Sequence, residues 1–159
     1  MPNLTYQIIH FIYSLGLTLW FGGLFFAMFV LAPAVMTTVR DRKLIGDIIS
    51  RNTDLMRSIN MVVVPLTIIA SFLLYEMYKT PTFLAKSQNM LVILMGLIFF
   101  YGVWIVTPRR KAVRARIHEE GIDPEEKVKL EKEFDDLHKT SLNVATGQFM
   151  IGIVVIFLS

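Results

Sequence analysis

The sequence predicts an all-α integral membrane protein: a four-transmembrane-helix bundle with a cytoplasmic helical hairpin that extends the third and fourth spans. Three observations predict it. Apolar residues make up 54% of the 159 residues, and mean hydropathy is +0.55. Four stretches reach the ~20 apolar residues that a bilayer crossing needs. Charged residues are only 18% of the chain and gather between those stretches. This composition belongs to a polytopic membrane chain rather than a soluble domain with a large core. Four spans and short loops fill the length, so the chain is one domain. There are no cysteines, which excludes disulfides, thiolate metal sites and thiol nucleophiles.

The first span runs Tyr6–Met36. It is too long for the apolar core of a signal peptide, with no basic segment before it and no small-residue cleavage pattern after it. Its one ionisable residue is His10. Steps of four from His10 give Ser14, Thr18 and Gly22, and a neighbouring row carries Gly16, Gly23 and Ala27. Small residues at these spacings let helices approach closely, so this face is expected to look into the bundle, with Ser14, Thr18, Gly22 and Gly23 in the packing. Trp20 has no assigned face, because tryptophan also suits lipid.

The loop at 37–58 reads as a short helix on the membrane surface. Leu44, Ile45, Ile48 and Ile49 share one face, and Thr53 or Asp54 is placed to cap the next helix. The second span, Ile59–Tyr78, contains Pro65, which predicts a kink. The third, Met90–Thr107, ends at Pro108. A hairpin over 109–141 follows. Val113 and Ile117 share a face on its first arm, and Gly121 suits the position just past a helix end. Asp123-Pro124-Glu125-Glu126 then reads as a helix start, with an Asp N-cap and Pro in the first turn. Leu130, Phe134, Leu137 and Ser141 carry one face into the fourth span, Leu142–Leu158. The second arm and that span are therefore one helix of about 35 residues. The basic first arm, Arg109 to Arg116, is expected to face a more acidic second arm carrying Glu125, Glu126, Glu131, Glu133, Asp135 and Asp136.

Charge sets the expected orientation. The segments 37–58 and 108–141 must lie on one side of the membrane, and they hold fourteen of the 16 Lys and Arg residues. The positive-inside rule puts both in the cytoplasm and both termini outside, in the cell (inner) membrane. The basic residues flank spans, where they meet lipid, so the pI near 9.3 does not imply nucleic acid. The expected partners are the bilayer and either another membrane protein or further copies of this chain.

Depth selects the candidate site. His10 lies about one turn into the outer half of the membrane. At the same level are Glu76, near the end of the second span, and Lys86 and Asn89, near the start of the third. An ionisable side chain inside a span is a functional-site hypothesis, set against interfacial side chains that reach water and each other. His138 lies at the other membrane face, some 20 Å or more away, so it cannot share a ligand with His10. An iron on His10 would need a methionine such as Met77 or Met90, or an open position. The sequence holds no phosphate-binding glycine loop, no Ser/His/Asp arrangement and no metal-ligand spacing, so no metal site is expected. Asn60, Thr67 and Ser71 in the second span, and Ser141, Asn143, Thr146 and Gln148 in the fourth, are expected to hydrogen-bond between helices; the alternative is a polar path.

Three stretches carry a family resemblance: LTLWFGGLFFAMFVLAPAVM, VWIVTPRRKAVRARI and LHKTSLNVATGQFMIGIVVIFL. Together they resemble the transmembrane protein 205-like family of four-span proteins, whose bacterial members carry a domain of unknown function. The matching positions are Pro108 and Arg109 at the exit of the third span, and His138, Ser141 and, loosely, Asn143 leading into the fourth. The resemblance implies the architecture and no reaction. A more distant similarity is to HemJ and CopD membrane proteins, through His10, Trp20-Phe21-Gly22-Gly23 and Lys86. It implies functional roles for that His and Lys and a haem b cofactor. The chain departs from those proteins in its long charged hairpin and in lacking their extra histidines.

Two functional classes follow. The first is a non-catalytic helper, a solute- or metal-handling component or an accessory subunit. The alternative is a haem b-binding oxidoreductase resembling the HemJ-type protoporphyrinogen oxidases. A transport path along the second and fourth spans is a third, weaker reading.

Overall fold

The computed structural model describes residues 4–77, 82–119 and 122–158. Four helices are long and apolar enough to cross a membrane: α1 (Leu4–Thr38), α2 (Arg42–Met77), α3 (Phe83–Ile117) and α4 (Pro124–Phe157). They run up-down-up-down. Each packs on its neighbour in sequence, and α1 closes the bundle against α4. Among the described residues there is no strand. The chain is a multi-pass membrane protein built as a four-helix bundle.

Two prolines shape α1 and α3. Pro33 and Pro108 have no N–H to donate one turn back, and their rings crowd that turn. The helix answers both by widening just before the proline, into π turns at Phe26–Leu31 and Gly102–Val106. There the amide of Ala32 reaches Ala27 O and that of Thr107 reaches Gly102 O, five residues back. Thr107 Oγ1 also donates to Gly102 O at 2.9 Å. Pro65 lies inside α2 without interrupting it.

The segment expected to form a surface helix is instead the first part of α2, which is continuous over 36 residues from Arg42. Thr53 does not cap a helix. Its Oγ1 donates back to Ile49 O at 2.8 Å, and Asp54 pairs with Arg57 and Lys111. The start of α4 follows its sequence. Asp123 is the N-cap and accepts from Glu125 N, and one helix of 34 residues then runs to Phe157. At 1.5 Å per residue α4 is roughly 50 Å long, against a ~30 Å apolar core, so its first turns stand clear of the membrane. They pack on the end of α3, where Val113 and Leu130 are buried between the arms. Arg109 pairs with Glu133 at 2.8 Å and Arg116 with Glu126 at 2.5 Å. The end of α3 and the start of α4 therefore lie side by side. Gly121 and Tyr78 lie outside the described residues.

The core forms two stacked layers. Tyr13, Leu17, Ala70, Leu74, Val92 and Val155 make one; Trp20, Val64, Met95 and Phe99 make the other. The tightest approach of α1 falls on Gly16, where any Cβ would overlap Thr67 Oγ1. At Gly152 a Cβ would run into the ring of Phe21. That ring lies flat on Phe149, with centroids 5.0 Å apart.

Candidate functional site

At the end of the bundle where α1 begins, side chains of α1, α2 and α3, with Ile156 of α4, line an open-mouthed cavity of about 380 Å³. Tyr6, His10, Tyr13, Ser14 and Thr18 line it from α1, spaced three to four residues apart on one face. Ser71, Leu74 and Tyr75 come from α2, and Ala85, Gln88 and Asn89 from the first turns of α3. Thr82 caps α3 by accepting from Ala85 N at 3.3 Å, which fixes the start of the helix that presents Gln88 and Asn89.

The lining mixes polar and apolar side chains, and among the described residues it carries no carboxylate, ammonium or guanidinium. Its groups are tied to one another: Gln88 Nε2 donates to Tyr13 Oη at 2.8 Å, and Ser71 Oγ donates to Asn89 Oδ1 at 2.8 Å. Thr18 Oγ1 returns to Ser14 O at 2.8 Å. The His10 ring stacks on Tyr6 with centroids 5.9 Å apart, and its Nδ1 is 3.5 Å from Ser14 Oγ. His10 is exposed to the cavity mouth while Tyr13, one turn deeper, is buried. Imidazole, phenol, amide and hydroxyl groups can donate and accept in this arrangement without any of them being charged. That is the chemistry by which a neutral molecule with oxygen or nitrogen acceptors is held in an apolar setting.

Of the four candidates read from depth, His10 and Asn89 line the cavity. Glu76 and Lys86 do not; both are exposed. Tyr13, Ser71 and Tyr75 join the site without having been singled out for it. The packing candidates divide as well. Ser14 and Thr18 line the cavity, Gly22 has nothing within reach of a Cβ, and Gly23 meets Met56 Sδ. At the other end of the bundle, Pro108, Arg109, His138 and Asn143 are exposed and Ser141 is half-buried. Trp20, fully buried, donates from Nε1 to Gln148 Oε1 at 3.1 Å and so ties α1 to α4 across the bundle centre.

A haem b does not fit this lining. His10 is its only imidazole. Met77 and Met90, which have the depth for a second axial ligand, do not line it, nor do Lys86 and Glu76 as partners for propionates. Among the described residues no three His, Asp or Glu side chains are grouped to hold a metal ion.

These features define a four-span membrane protein with a neutral polar cavity at one end and a charged helical hairpin at the other. The chain belongs to the family described as a domain of unknown function (DUF4149), whose model matches residues 15–119. The match runs from α1 through the end of α3. It includes the cavity residues of α2 and α3 but not Tyr6, His10, Tyr13 and Ser14. Comparison with curated proteins and with solved structures gives no match.

Proposed function

We propose that this protein is a non-catalytic membrane component that holds a small neutral molecule with hydrogen-bonding oxygens in the cavity between α1, α2 and α3. The observation that carries this is the lining itself: imidazole, phenol, amide and hydroxyl groups in an apolar setting, with no carboxylate, ammonium or guanidinium among the described residues that line it. A charged solute would leave its charge desolvated and unpaired there. A neutral phenol, quinone or amide would exchange water for side-chain partners at little cost.

The test uses the full chain in nanodiscs and a fragment set of neutral phenols, quinones and amides, read by saturation-transfer NMR. His10→Ala and Asn89→Ala should each weaken binding about tenfold, the loss of one to two hydrogen bonds. No binding by any fragment, or binding indifferent to both substitutions, overturns the reading. One absorbance spectrum after haem-replete expression decides the alternative: a Soret band lost in His10→Ala would replace the neutral ligand with haem b.

The finer kinship belongs here too. The TM-exit and TM-start motifs around Pro108, Arg109, His138 and Ser141 support placing the chain with the transmembrane protein 205-like proteins. The basic residues of the hairpin support a cytoplasmic hairpin and external termini. The natural absence of cysteine makes this measurable. Glu125→Cys should resist a membrane-impermeant maleimide on intact cells, and Thr5→Cys should react; the reverse pattern inverts the topology.

A further inference from the structure

The basic arm of the hairpin has two sides, and they are not alike. Toward α4, Arg109 and Arg116 each meet a carboxylate, Glu133 and Glu126. Toward α2, Arg57 and Lys111 share a single carboxylate, Asp54, and Arg110 lies near that group with Arg114 beside it. Asp54 Oδ1 takes Arg57 Nη1 at 2.5 Å and Lys111 Nζ at 3.4 Å. Arg110 is half-buried and close enough to Arg57, Asp54 and Arg114 to feel their charges. Among the described residues it has no hydrogen bond or ion pair. A guanidinium carries five donors and no acceptor, and a partly buried one without an anion is costly. The position of the cluster matters as much as its charge. Arg57 precedes the apolar part of α2 by two residues, and Arg110 follows Pro108 by two. Both stand where the apolar core ends and the plane of lipid phosphates begins.

We propose that the basic cluster between α2 and α3 at the hairpin end binds the phosphate of an anionic phospholipid, with Arg110 as its central donor and Arg57 and Arg114 beside it. The ligand chemistry is a phosphodiester monoanion. The geometry favours a lipid over free phosphate, because the cluster sits at the end of the spans, whose adjoining turns expose apolar side chains such as Ile59 and Ile105. Arginine suits the role through its planar fork, which matches two phosphate oxygens at once.

The test reconstitutes the full chain in nanodiscs with equal phosphatidylglycerol and phosphatidylcholine and counts retained lipids by native mass spectrometry. Wild type should keep phosphatidylglycerol. Arg110→Gln should lower the preference about fivefold, the effect of one basic side chain near an anionic surface. Arg109→Gln with Arg116→Gln removes two charges from the α4 side and should leave the preference unchanged. If that control falls as far as Arg110→Gln, bulk charge accounts for the binding and the proposal fails. A second measurement needs no variant. Phosphatidylglycerol should raise the unfolding temperature of wild type in detergent, while inorganic phosphate at the same concentration should not. Equal shifts from both would assign the cluster to a free anion and overturn the lipid reading.

Discussion

The two ends of the bundle handle polarity in opposite ways. At the cavity end the polar side chains that line the cavity bond one another, Tyr13 with Gln88 and Ser71 with Asn89, and among the described residues none of them is a carboxylate, ammonium or guanidinium. At the hairpin end they are charged and lie beyond the apolar length of the helices, paired as Arg109–Glu133 and Arg116–Glu126 with water around them. The reason is the solvent. In hydrocarbon an unmet polar group has nowhere to turn, so only groups that can be satisfied internally persist there. Beyond the span an ion pair competes with water and contributes little. Polar groups near His10 are therefore costly to place unless they are satisfied within the bundle, whereas the charges at the hairpin end can be met by water.

The largest expected effect lies between the two ends, at Trp20, the hydrogen-bonded tie from α1 to α4. Trp20→Ala removes a fully buried ring from the second core layer and leaves Gln148 without its donor. Loss of a large aromatic from a packed site costs about 3–5 kcal/mol. Equilibrium unfolding in mixed micelles should show it as the largest effect of any substitution named here. A loss under about 1 kcal/mol would mean that Trp20 is not the centre of the packing.

How far these features could be read from the sequence depends on whether their signal is local. The start of α4 was legible because a cap is written in three adjacent residues: Asp123, Pro124 and Glu125 meet the geometry of a first turn wherever they stand. The lower part of α2 was not. Leu44, Ile45, Ile48 and Ile49 make the same amphipathic pattern on a surface helix and on the end of a long one, and Thr53 looks like a cap while serving as a mid-helix residue. The site around His10 shows a different limit. Counting residues from the span ends gives depth, and His10 and Asn89, expected at one level, both line the cavity. It does not give rotation about the helix axis. Each residue turns the helix by about 100°, so Tyr75 enters the cavity while Glu76, the very next residue, does not. Trp20 escaped for a chemical reason: indole is equally at home against lipid and in a core, and only the tertiary contact with Gln148 decides.

The smallest expected effect lies in the hairpin, and it bears on the comparison most directly. Arg116 and Glu126 form a close pair, yet both side chains are about half exposed, at 56% and 46%. Coulomb attraction at such a site is screened, and two long side chains lose freedom to hold it. Arg116→Gln should therefore cost no more than about 1 kcal/mol, and raising salt from low to physiological strength should erase most of that difference. A larger, salt-insensitive loss would show that the hairpin pairs are shielded from water. The protruding arms would then have to be covered by something else, such as a partner or a second copy, and the contrast between a structured cavity end and a solvated hairpin end would no longer hold.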